Sequence, residues 1–171
     1  MATSTGSYLK TLHDLTKAQG AKVISSDFTF SINGYEASYL LCKQAPKPEL
    51  TPQGEIEIAL PLGSKAVQPQ QVATAQQGQI SFYETVNAMT ENMLIQLLLD
   101  SSRGNMFDAR LYEGTPDNYI RYWKYHDCFM QLDVIDRDWE NRSQPMMFSG
   151  TLFFHFFGEM VESGKLNYAN E

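Results

Sequence analysis

The residues able to do chemistry in this chain stand at spacings that do not support it. Asp133, Asp136, Asp138 and Glu140 crowd one short stretch, and Asp136, Asp138 and Glu140 match the first half of a calcium-binding loop. The match then stops: Asn141 stands where the turn needs glycine, and Met147 where a bidentate glutamate would close the loop. Paired carboxylates also serve as general acid and base, but here they read as a solvated loop between two strands. His13, His126 and His155 fall in three different elements, none with a Cys or carboxylate at the spacing of a zinc site or a triad. Cys42 and Cys128 sit among apolar residues and read as small buried hydrophobes rather than nucleophiles. Ser149 lacks the glycine two residues before it that a nucleophile elbow requires, and no glycine-rich phosphate loop is present. Tyr119, Arg121, Trp123 and Tyr125 alternate along one segment and would form a face on which single-stranded bases stack. No catalytic, cofactor-binding or metal-binding residue is assigned, and the chain is expected not to be an enzyme and to need no cofactor.

Composition points the same way. Thirteen Lys and Arg against twenty Asp and Glu give a net charge of −7, the reverse of what phosphate-backbone binding demands. Length fits one domain with a core of its own over residues 1–171. Ten Phe and nine Tyr favour strands. Two cysteines make neither a disulfide framework nor a metal site. The opening MATSTGSYLK has no basic stretch ahead of an apolar run, so no secretory leader is expected, and the sequon at Asn141 is read as a chance match. No apolar run is long enough to cross a membrane as a helix.

The elements that would carry these residues are mostly strands. Residues 7–19 read as a short helix with Tyr8, Leu12 and Leu15 on one face, Thr5 or Ser7 at its start and Gly20 at its end. It is too short to be stable alone. Residues 27–43 read as a hairpin turning at Asn33-Gly34. Pro46, Pro48 and Pro52 make the next stretch an extended loop. Residues 55–60 alternate as a strand, with Ile56 and Ile58 on one side. Residues 61–79, glutamine-rich and free of acids, read as a long loop without regular structure. A strand at 80–84 precedes the central amphipathic helix, 86–100, whose stripe runs through Val86, Met89, Met93, Leu97 and Asp100 and is widened by Leu94, Ile95 and Leu98. Strands follow at 106–112, with Phe107, Ala109 and Leu111 inward, and at 119–135, where Cys128, Met130, Leu132 and Val134 alternate with Phe129, Gln131 and Asp133. The last strand, 146–157, carries Phe148, Leu152, Phe154 and Phe156 on one face and Phe153 and His155 on the other. Phenylalanine on both faces predicts cover on both sides, which a partner subunit would supply. The fold class is therefore mainly β (α+β): an antiparallel β-sandwich or barrel with one central amphipathic helix, a helical extension over 1–26 and a tail over 158–171.

Three segments together resemble the tail tube proteins of contractile-tailed bacteriophages, over roughly 35–157. They are ASYLLCKQAPKPEL with the EIEIALPLG that follows, ISFYETVNAMTENMLIQLL, and the ending CFMQLDVIDRDWENRSQPMMFSGTLFFHFFGE. The resemblance implies a β-sandwich that closes with its neighbours into a homo-oligomeric, six-membered ring. Such rings stack into a hollow tube within a sheath, associated with baseplate and tape-measure proteins. DNA transits without specific binding, and no membrane is involved. The location implied is the virion tail, assembled in the host cytoplasm. The long loop would make the contact between rings, which nominates Leu62, Gly63, Ser64, Lys65, Val67, Gln70, Val72 and Gln76 as interface residues, with Phe153 and Phe156 from the final strand. Two other readings stay open: the inner tube of a secretion system, and a small β-barrel that binds a ligand between aromatic strands.

Overall fold

Alternating apolar residues set up the strands, and the structure, a computed structural model, describes residues 5–162. Helix α1 (Gly6–Ala18) follows Thr5 and ends before Gly20, which takes a φ of +87°. Strand β1 (Phe28–Ile32) runs into the Asn33-Gly34 turn. Three short strands follow: β2 (Cys42–Gln44), β3 (Glu55–Ala59) and β4 (Lys65–Pro69). Then come β5 (Ala75–Tyr83), helix α2 (Met89–Leu99), β6 (Phe107–Thr115), β7 (Asn118–Leu132), β8 (Met147–His155) and β9 (Met160–Glu162). Of the tail expected over 158–171, residues 163–171 lie outside the described residues, as do residues 1–4 of the helical extension.

Seven strands make one antiparallel sheet in the order β1-β6-β7-β8-β5-β2, with β9 added beside β7. Strand β7 turns this sheet into a sandwich. Its first half pairs with β6 and β9, and its second half pairs with β8. Between them the register shifts at Asp127, a non-glycine residue with φ +47°, and such a bulge bends a strand from one layer to the next. Both layers turn their apolar alternates inward. Phe30, Leu111 and Tyr125 meet Ile80, Phe82, Leu152 and Phe154, with Tyr125 edge-on to Phe30 and Phe154. The Tyr125 hydroxyl donates to the Pro46 carbonyl, which ties down the proline-rich segment. Where β7 and β8 pass closest, only glycine fits: a Cβ on Gly150 would collide with the Gln131 carbonyl and stand 2.7 Å from the Leu132 Cα.

Helix α2 covers the core with Thr90, Met93, Leu94 and Leu97. The expected stripe holds at Met93, Leu94 and Leu97. It fails at its ends, because the helix starts at Met89, leaving Val86 before it in full solvent, and Asp100 is its C-terminal cap. Ile95 and Leu98 are exposed. The start is fixed by Glu84, whose carboxylate accepts from the N–H groups of Thr90 at 3.1 Å and Glu91 at 2.9 Å. Two donors that an α-helix leaves unpaired are thereby satisfied, and a negative charge sits at the positive end of the helix.

Two expectations are corrected. Residues 27–43 are not a hairpin. The Asn33-Gly34 turn forms, but the Ser38 hydroxyl accepts the Ile32 N–H and the Glu36 carboxylate accepts the Gly34 N–H, and Glu36–Leu40 wind into a 3-10 turn. Strands β1 and β2 consequently pair at opposite ends of the sheet, with β6 and β5. Nor are residues 61–79 without regular structure. Strand β4 pairs with β3 in register from Glu55↔Pro69 to Ala59↔Lys65, Val72 bridges Pro52, and β5 begins at Ala75, five residues before the expected strand.

Candidate functional site

The potential chemical centres resolve into structure. Among the described residues no three His, Cys, Asp or Glu side chains are grouped to hold a metal ion. The acidic stretch lies in the exposed loop joining β7 to β8, as read from the sequence. His126 and His155 face each other across β7 and β8, a proximity that the sequence hid, and His126 Nε2 lies 3.2 Å from the Glu159 carboxylate. Burial pushes the Cys42 thiol up to about 12 and raises that of Cys128 as well. Both are therefore neutral at physiological pH, as a small apolar side chain requires. A base-stacking face at 119–125, which the acidic composition already argued against, does not form: Trp123 and Tyr125 point into the core, while Tyr119 packs with Tyr112 and Tyr122 on the opposite face.

What remains unsatisfied is apolar surface. The β3–β4 hairpin is a two-stranded sheet of its own. Ile56 and Ile58 share one face with a half-buried Ala66, and the two isoleucines stay 46% and 37% exposed. The tip holds Leu60 and Leu62. Leu62 adopts φ +61° ahead of Gly63 at +76°, and its side chain stands wholly in solvent. A two-stranded hairpin with no covering layer is at best marginally stable in water, so this one has surface to bury against another body.

Of the residues nominated from the sequence, Leu62, Gly63, Ser64, Lys65 and Val67 lie on this hairpin. Lys65 spans it to Glu57 at 2.9 Å, and the Ser64 hydroxyl holds the Pro61 carbonyl at 3.0 Å. Gln70 donates to the Glu55 carbonyl at 3.1 Å, at the hairpin's base, and Val72 lies exposed beside it. Gln76 has internal work instead: its amide donates to the Glu49 carbonyl and accepts from the Glu49 N–H. Phe153 stacks on Phe129 across β8 and β7, centroids 4.8 Å apart and planes 9° from parallel, on the outward face of the sheet. Phe129 is 41% exposed, and the shallow groove there, bordered by Ala75, Gln77 and His155, holds about 500 Å³. Phe156 is placed differently, inside the core, where its own chain satisfies it. The sequence missed Ile56, Ile58 and Leu60 as surface groups, because their alternation looks like that of a buried strand.

The fold is similar to that of solved structures. A chain of the PVC sheath–tube complex of an extracellular contractile injection system, in the extended state, superposes with a TM-score of 0.59 at 12% identity, over 87% of this chain and 97% of that one. A chain of the anti-feeding prophage cap, which terminates a tube, gives 0.55 at 13% identity, over 84% and 93%. A chain of the PVC sheath/tube terminator gives 0.51 at 13%, over 84% and 98%. No protein-family model and no curated protein sequence matches the chain. The fold is thus the tail-tube-like β-sandwich found in tube and cap assemblies of contractile injection systems.

Proposed function

We propose that the chain is a structural subunit that self-assembles into stacked six-membered rings, forming the tube of a contractile-tailed phage or of a related injection particle. The supporting observation is the β3–β4 hairpin, whose isoleucines and tip leucines are left in solvent beside a sandwich of tube-and-cap fold. The hairpin reaches the next ring through Leu62, Gly63, Ser64, Lys65 and Val67, with Gln70 and Val72 at its base, and Phe153 adds a second contact. Sheath, baseplate and tape-measure proteins are its partners, the particle tail is its location, and DNA passes without specific binding. A surface with an excess of carboxylates repels phosphate, which suits passage rather than retention. No helix among the described residues is long and apolar enough to cross a membrane.

A second reading makes the subunit the terminal cap of such a tube, favoured by the likeness to two terminators. A concentration series in the analytical ultracentrifuge tests both. A tube subunit sediments as rings and open-ended larger species, and a cap as a closed ring that grows no further. A monomer at every concentration contradicts the proposal.

A further inference from the structure

A second pair of unsatisfied surfaces lies away from the hairpin. Trp139 is 95% exposed in the β7–β8 loop, and Asp136, Asp138 and Glu140 flank it in the sequence. Tryptophan is the costliest side chain to leave in water and the commonest anchor of protein interfaces. At the other end of β7, the outward face of β6–β7 carries the half-buried Tyr119 and Tyr122, packed over a buried Tyr112, with each ring centroid 5.2 Å from the other two. Beside them Arg110 and Lys124 stand directly opposite each other in the β6–β7 register. Like charges in that position repel. Arg103 and Arg121 have carboxylates at 2.7 and 2.5 Å, but Arg110 has none within 4 Å among the described residues and lies over the Tyr122 ring, 5.6 Å from its centroid. Lys124 reaches Glu159 only at 3.7 Å, a carboxylate shared with His126.

The two surfaces are complementary: an exposed indole in an acidic loop, and a half-buried tyrosine cluster beside an undercompensated cationic pair. They cannot meet within one chain. Tyr122 and Asp133 lie on either side of the Asp127 bend, near opposite ends of a strand whose eleven steps span at most roughly 35 Å at ~3.3 Å each. The loop is also anchored at its own end, by Asp133 N–H to the Ser149 carbonyl and Glu84 N–H to the Met146 carbonyl. We propose that Trp139, with Asp136 and Asp138, docks on the tyrosine cluster and the Arg110–Lys124 pair of a second copy of this chain. Different patches at opposite ends of a molecule make a head-to-tail contact, which closes into a ring where the rotation permits. The inference rests on the assembly reading and names an interface for it other than the hairpin.

The test uses three variants of the full chain, compared by sedimentation. Trp139→Ala removes a side chain that is 95% exposed, so the variant should keep its fold. It should raise the concentration for half-assembly about tenfold or more. The double variant R110E/K124E and the double variant D136K/D138K should each fail to assemble alone. Mixed one to one, they should assemble, because each then presents the surface the other needs. Native circular dichroism of each variant confirms the fold. Three wild-type-like assembly curves, or two folded double variants that do not rescue each other, would overturn the contact while leaving the assembly reading intact. Failure of the wild-type chain to self-associate would overturn both.

Discussion

Glu84 shows how a single side chain sets an element boundary here. It lies in the turn before α2 and caps that helix from six and seven residues away, so Glu84→Ala leaves two N–H donors without partners. A loss of about 1–2 kcal/mol in a denaturant titration is expected, of the size measured for N-terminal caps. Gly150 is constrained by space: Gly150→Ala forces β7 and β8 apart and should cost about 1–3 kcal/mol in the same titration. The thiols give a pH signature. The folded Cys42 pKa is raised from the ordinary 9.0 to about 12, so its contribution is complete below pH 9 and is lost as pH rises between these values. Cys128 shifts in the same direction. Unfolding midpoints should fall from pH 9 upward, and less steeply in Cys42→Ala; a midpoint flat to pH 11 would contradict the burial of both groups. Much at this scale was legible. The inward places of Phe107, Ala109, Leu111, Cys128 and Met130 follow from period-two alternation. The Glu84 cap was not legible, because it comes from outside the usual capping position and depends on how the preceding turn folds.

The β3–β4 hairpin stands apart from the sandwich, and its two strands differ in how far sequence reveals them. Strand β3 alternates isoleucine with glutamate and was readable. Strand β4 and the start of β5 are rich in Gln, Ala and Pro, with no apolar period, so their pairing is written only in the backbone register. The segment after Asn33-Gly34 misled in the opposite sense: a strong turn signal was present, but two local side-chain hydrogen bonds diverted the chain into a 3-10 turn. Because Ile58 is only partly covered in its own chain, at 37% exposure, Ile58→Ser should cost no more than about 1 kcal/mol of stability in a thermal titration. The same change should abolish growth beyond a single ring. Loss of folding would instead mean that the hairpin supports the sandwich. Helix α1 buries no residue, so its Tyr8, Leu12 and Leu15 stripe was legible as a pattern but not as a contact.

At the scale of the molecule, the β-sandwich completes its own core and leaves three things undone: the hairpin, the Phe129–Phe153 face and the Trp139 loop. Sequence located the first two, though it read only the hairpin's first strand, taking the second for a loop, and nominated Phe156 with Phe153 as an interface residue. Trp139 escaped notice because exposure of a lone aromatic is not a periodic signal. In the proposed assembly, this apolar surface is covered by copies of the same chain. The most direct test is negative-stain electron microscopy of the purified protein across a concentration range. Rings with a central hole, stacking into tubes as concentration rises, are the expected result. A field of isolated particles of single-subunit size at every concentration would contradict the self-assembling role.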